Sequence, residues 1–167
     1  MNNEANLEMF QHLFHAEIYI VEEEGEVNSF CLGEDPAEQI RLLVLLKDEK
    51  NERASPQAID MLNKIADWKE YDLKRGEVVV LNLAHQNVSM KQLLKKFSSP
   101  NIVCFEVFPE EINLQIEVES NHLTRFNGMN FVFTASLQEI SKNEKLKKQF
   151  FAEGLKPMLS SRDQHPT

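Results

Sequence analysis

The chain has 167 residues, 42% of them apolar and 27% charged, with 18 basic against 27 acidic side chains and a formal net charge of −9. That is the size of one domain with a full hydrophobic core and the composition of a folded globular protein, which excludes a fibrous or disordered chain. The acidic balance repels phosphate backbones and anionic lipid headgroups, so neither direct nucleic-acid binding nor membrane attachment is expected.

No apolar run approaches the ~20 residues needed to cross a bilayer. The start, Met1-Asn2-Asn3-Glu4, has neither the basic nor the apolar stretch of an export signal. A cytoplasmic location is therefore expected. The two cysteines, Cys31 and Cys104, show no metal-type spacing, and Cys104 lies within an apolar run, which predicts a buried, reduced thiol.

Leu7, Phe10 and Phe14, with Leu13 beside them, recur at helical spacing and predict one face of a short amphipathic segment. Two or three turns do not hold themselves in water, so the segment must dock, either on its own domain or on a partner. Ala16–Val21 reads as a short extended piece, broken by Glu22-Glu23-Glu24-Gly25. Phe30, Cys31 and Leu32 add a small apolar patch ahead of a Gly33-Glu34-Asp35-Pro36 turn. Residues 1–39 thus read as an arm and edge attachment, residues 40–159 as an α/β domain, and residues 160–167 as a polar, disordered tail.

The domain is organised around Ile40–Leu46, a run apolar on both parities, as suits a strand buried on both faces. Val78–Ala84 and Ile102–Phe108 repeat the pattern with many β-branched residues. Between them, Ser55-Pro56 offers an N-cap and a first-turn proline, followed by a stripe of Ile59, Leu62, Ile65 and Ala66. Ser89 with Gln92 resembles a capping box opening a helix whose buried stripe is Leu93, Leu94 and Phe97. Trp68, closing the first helix, reads as a packing residue. Ile112, Leu114, Ile116 and Val118 alternate with polar residues, fitting either an edge strand or an irregular crossover. Asn127-Gly128 marks a turn before a last core strand at Asn130–Thr134. Ser136 with Glu139, and Ser141 with Glu144, offer two successive capping boxes, and Gly154 and Pro157 weaken the final helix. The expected fold is a three-layer α/β/α sandwich with a mainly parallel central sheet.

In such sheets ligands bind beyond the strand carboxyl ends, here the loops Lys47–Arg53, His85–Val88 and Pro109–Glu111. None contains a glycine, so the backbone cannot easily curl its amides around a phosphate. Asp48 and Glu49, with His85 and His122, are the available general bases or metal ligands, but the simpler reading is a solvated acidic loop and two surface histidines. Glu8, His12 and His15 share a helical face at metal-ligand spacing, for which solvent exposure is again the simpler reading. No cofactor and no catalytic residue is expected from this set.

The run Asn127-Gly128, Phe131-Val132-Phe133-Thr134, Ser136-Leu137-Gln138-Glu139-Ile140, Asn143, Lys147 and Phe150-Phe151 resembles the end of the psi subunit of the bacterial DNA polymerase III clamp loader. The order of the N-terminus, Gln11-His12-Leu13-Phe14 and then Ile18-Tyr19-Ile20, is similar to that family too. The arm departs from the family in carrying Phe10, Tyr19 and Glu22-Glu23-Glu24 in place of tryptophans and a basic piece. The resemblance implies a non-catalytic connector that binds clamp-loader subunits and a chi-like subunit, with Leu7, Phe10, Leu13, Phe14, Tyr19 and Ile20 as the partner-binding residues. The same fold is similar to that of uracil-DNA glycosylases, whose reading needs a glycine-, proline- and tyrosine-bearing loop where Lys47-Asp48-Glu49-Lys50 stands. A degenerate enzyme of that kind, or an α/β binding domain of another family, is the alternative.

Overall fold

The computed structural model describes residues 26–160. Leu7, Phe10, Leu13, Phe14, Tyr19, Ile20 and the Glu8/His12/His15 face therefore lie outside the described residues, as does the tail from residue 161.

The chain enters through Val27, buried under the sheet and tied there by Lys96 Nζ, which donates to its carbonyl at 2.6 Å. Strand β1 (Phe30–Cys31) follows, then β2 (Leu42–Leu46), five consecutive buried residues. Helix α1 (Pro56–Ala66) starts where the sequence places it: Ser55 Oγ accepts the Ala58 N–H at 3.1 Å, and Pro56 occupies the first turn. Leu62, Ile65 and Ala66 are its buried stripe, with Ile59 partly buried beside them. β3 (Val78–Asn82) and β4 (Asn101–Phe105) are again buried throughout, and flank α2 (Met90–Lys96). The capping box of α2 forms both ways, Ser89 Oγ accepting from the Gln92 N–H and Gln92 Oε1 from the Ser89 N–H. Leu93 is buried, but Leu94 is 53% exposed: seven residues make too short a helix for a broad apolar face, and the stripe narrows to Met90 and Leu93 with Phe97 half-buried.

The sheet is mixed, in the order β1-β3-β2-β4-β6-β5. β3, β2, β4 and β6 (Met129–Thr134) pair in parallel, whereas the edges β1 and β5 (Leu123–Phe126) pair antiparallel to β3 and β6. The expected mainly parallel sheet is corrected at both edges, and each edge has a local cause. β5 and β6 are joined by Asn127-Gly128, with φ of 50° and 75°, positive at both central positions as a two-residue hairpin with right-handed strand twist requires. β1 is held where Gly33 and Gly76 meet: a Cβ on Gly76 would stand 2.3 Å from the Asp35 carbonyl oxygen, so only glycine admits this approach. β5 carried no strand signal because its residues are half-buried or exposed. The alternation at Ile112–Val118 resolves as a crossover, a 3₁₀ turn (Pro109–Ile112) and irregular chain whose apolar residues all pack under the sheet.

Because successive strand residues point to opposite faces, β2 feeds two cores. Leu42, Val44 and Leu46 join α1 and the C-terminal helices, while Leu43 and Leu45 join α2 and the crossover. The C-terminal part comprises α3 (Leu137–Lys142), α4 (Glu144–Gln149), a widened π-type turn (Phe150–Leu155) and α5 (Lys156–Leu159). Ser136 Oγ caps α3 by accepting the Glu139 N–H, one half of the first expected box, and the second expected box does not form. Asn143 Oδ1 caps α4 by accepting from the Leu146 N–H, while Ser141 Oγ turns back to donate to the Gln138 carbonyl. In the widened turn the Lys156 N–H bonds the Phe151 carbonyl, five residues back, and Pro157 follows with no N–H to place.

Gly154 is what lets this turn sit on the sheet: a Cβ there would lie 2.9 Å from Val132 Cγ1 and 3.1 Å from the Asn121 carbonyl oxygen. Gly154→Ala is expected to lower unfolding free energy by about 1–3 kcal/mol through overpacking, measured by urea denaturation; the opposite sign, from better helix propensity, would show that the turn moves freely.

Candidate functional site

Asn82, at the carboxyl end of β3, is buried and uses its whole carboxamide. Its Nδ2 donates to the carbonyls of Asp48 (2.8 Å), Asn51 (2.9 Å) and Glu52 (3.3 Å), and its Oδ1 accepts from the N–H groups of Asp48 (2.9 Å) and Ala84 (3.1 Å). Asp48 in turn accepts at both oxygens, from the N–H groups of Lys50, Asn51 and Ser55 and from Asn51 Nδ2, all within 3.2 Å. Desolvation pushes the Asp48 carboxyl up, but these hydrogen bonds outweigh it and hold the pKa below its usual 3.8. A base saturated with donors and lowered in pKa is a poor proton acceptor at neutral pH. The loop that would cradle a ligand is occupied by its own side chains.

The other expected carboxyl-end residues are scattered. His85 Nε2 lies 3.1 Å from the Asn51 carbonyl on the exposed side of the knot. Glu111 accepts from the Phe108 N–H at 2.7 Å and pairs with Lys47, an arrangement that leaves the Phe108 ring 63% exposed. His122 belongs to a separate cluster beside β5. Its Nδ1 is 2.9 Å from the Ser120 carbonyl and its Nε2 is 2.6 Å from Glu153 on the widened turn. The Ser120 carbonyl raises the His122 pKa most, and the carboxylates of Glu119 and Glu153 add to it against partial desolvation. Asp48 and His122 share no pocket. Cys104 is buried and free, its thiol pushed up by burial and then by Glu111, while Cys31 Sγ faces the carbonyls of Arg75 and Gly76. Among the described residues no group of three or more His, Cys, Asp or Glu side chains is placed to hold a metal, and no helix is long and apolar enough to cross a membrane.

The open feature is a groove of about 1490 Å³ between α1 and the C-terminal helices. Leu46, Ile65, Tyr71, Phe105 and Leu137 form a buried apolar floor, and Met61 and Phe151 are half-buried on the walls. A T-shaped chain of rings, Phe105 to Phe150 at 5.5 Å and Phe150 to Phe151 at 5.3 Å, fixes the wall to the sheet. Burial, and then the neighbouring Glu70, pushes the Tyr71 pKa up to about 12, so this floor residue stays neutral. Trp68, expected to pack, stands at the mouth 56% exposed, because α1 ends at Ala66 and the chain turns away before the indole reaches the sheet. One bank carries Lys142, Lys147, Lys148 and Lys156, none of which has an ion-pair partner among the described residues; on α1, Lys64 is paired with Asp60 at 2.9 Å. The groove has no sequence signature, since its lining comes from three separated stretches. Exposed Trp68 and the lysine-rich 142–156 stretch are the only hints.

No protein-family model matches the chain, and no curated protein matches it.

Two outcomes test the site's electrostatics. Asn82→Ala strands the carbonyls and N–H groups it satisfies and is expected to cost about 1–3 kcal/mol, with faster amide exchange confined to residues 48–52 and 84. The raised His122 pKa makes its contribution fully present below the ordinary value of 6.5 and lost as pH rises through the folded value. Melting temperature is therefore expected to fall as pH rises above 6.5, and His122→Gln to flatten that slope.

Proposed function

We propose that this chain is a non-catalytic protein-interaction subunit, cytoplasmic, similar in role to the psi subunit of the bacterial clamp loader in DNA replication. Its N-terminal residues Leu7, Phe10, Leu13, Phe14, Tyr19 and Ile20 capture clamp-loader subunits, and its folded part receives polypeptide, a chi-like subunit among the candidates. One observation carries the reading. The loop where an α/β sheet would hold a small ligand is closed by Asn82 and Asp48, while a groove of about 1490 Å³ with an apolar floor stands open. Small-molecule pockets run to roughly 300–1,000 Å³ and enclose their ligand; an open trough of this size suits a chain segment. The helices are read as two layers flanking the sheet, an α/β/α arrangement supported by the separate apolar clusters on its two faces.

The test is co-elution of the full chain with purified clamp-loader complex at micromolar concentration. Phe10→Ala with Phe14→Ala is expected to weaken capture about 100-fold, as the loss of two anchors does, with the melting temperature nearly unchanged. No co-elution of the unaltered chain defeats the proposal; capture that survives the double substitution removes the arm from it.

A further inference from the structure

We infer that the groove floor carries one uncharged recognition group, the Tyr71 hydroxyl, which donates to a backbone carbonyl of a partner polypeptide bound in extended rather than helical form. The inference rests on the groove being a seat for polypeptide, and it names the form the polypeptide takes there.

Tyr71 is 4% exposed and lies on the floor with Leu46, Ile65 and Phe105. It ends the 3₁₀ turn Lys69–Tyr71, and its backbone is fully committed. Its N–H donates to the Trp68 carbonyl at 3.1 Å, and its carbonyl accepts from Arg41 Nη2 at 3.5 Å. Arg41 Nη1 donates to the Asp72 carbonyl at 2.6 Å and so ties the turn to the start of β2. The hydroxyl alone is unspent. It makes no hydrogen bond among the described residues, and it is not walled in, since Asn63 Oδ1 is the one fully enclosed side-chain polar atom there without a partner. The Tyr71 oxygen therefore meets the groove space. Buried tyrosines as a rule find a partner for the hydroxyl, so an unmet one calls for a cause. Burial and then Glu70 push its pKa up to about 12, so the proton stays in place and the group is a donor.

Charge and shape narrow the occupant. The lining carries seven lysines against six carboxylates, a formal balance of +1 that matches neither a polyanion nor a polycation. Such a rim over an apolar floor leaves apolar side chains and neutral backbone as what can be recognised. A helix keeps its carbonyls for its own N–H groups except in the last turn. An extended chain without internal hydrogen bonds offers one at every residue. It also turns alternate side chains to one side, so apolar residues can face the floor with a free carbonyl between them. The 11 residues of α1 make a wall of about 16 Å at 1.5 Å per residue, room for about five extended residues at ~3.3 Å each. Solvent meets the hydroxyl in the free protein, and the carbonyl replaces it on binding.

The test selects a random peptide library displayed on phage against the immobilised full chain. Enriched peptides are synthesised and titrated, with the fluorescence of Trp68, the chain's one tryptophan, at the groove mouth as the readout. Binding is expected to change that fluorescence without any gain of helical circular dichroism. Tyr71→Phe is expected to weaken it about tenfold, the loss when a buried carbonyl is left without its donor, and to leave the melting temperature of the free protein unchanged or higher. Binding that is indifferent to Tyr71→Phe, or that induces helix, overturns the inference while leaving the groove as a polypeptide seat. A lower melting temperature for Tyr71→Phe overturns it too, because the hydroxyl would then have a partner within the fold. Peptides that bind without changing Trp68 fluorescence, or no enriched peptide at all, remove the groove as a polypeptide seat and the inference with it. Tyr71-dependent binding together with failed co-elution with the clamp-loader complex upholds the inference and defeats only the psi-like role.

Discussion

The molecule depends on β2 being paired and buried on every side. Its five residues make parallel ladders to β3 on one edge and β4 on the other, and every side chain is removed from water. Each buried leucine or valine is worth roughly 1.5–3 kcal/mol. The larger consequence is geometric, because odd and even residues are committed to different cores. A one-residue slip would exchange the two sets, so both helical faces and both loops that leave β2 are fixed by one register.

Polar clamps hold the two ends of that register. At the amino end, Asn101 Nδ2 donates to the Arg41 carbonyl at 3.0 Å, and Asn130 Nδ2 reaches Asn101 Oδ1 at 2.9 Å, joining the starts of β2, β4 and β6. At the carboxyl end Asn82 gathers the loop after β2 onto β3. Each is a buried or half-buried amide whose hydrogen bonds go to backbone or to another amide, the condition under which a polar group can sit beside a hydrophobic core. The carboxyl-end clamp also has a functional cost: donors and acceptors that would meet a ligand are spent on the loop itself.

What remains open is on the α1 face. α1 and α3 line the groove, Phe151 and Ala152 of the widened turn at Phe150–Leu155 add a third wall, and the floor between them is apolar. The rim above that floor is mixed in charge, with Lys142, Lys147, Lys148 and Lys156 on one bank and Glu49, Glu70, Glu106 and Glu144 among them.

The three buried strands, the Ser55 and Ser89 caps and the Asn127-Gly128 turn were legible in the sequence, because each is set by neighbours a few residues apart: β-branched apolar runs, a hydroxyl three residues from an N–H, a residue pair tolerant of positive φ. The missing glycine in the strand-end loops was equally legible, but not that Asn82 fills one of them, since its partners lie 30 to 34 positions away. Leu94 and Trp68 read as core from apolarity alone and are exposed, because a side chain's burial depends on where its element stops relative to the sheet. The antiparallel edges, the exposed β5 and the groove arise from surfaces brought together across the chain. Local propensity therefore determined the elements and their starts, whereas edge pairing and the open trough were decided only by long-range packing, in which each segment's free surface is whatever its distant neighbours leave uncovered.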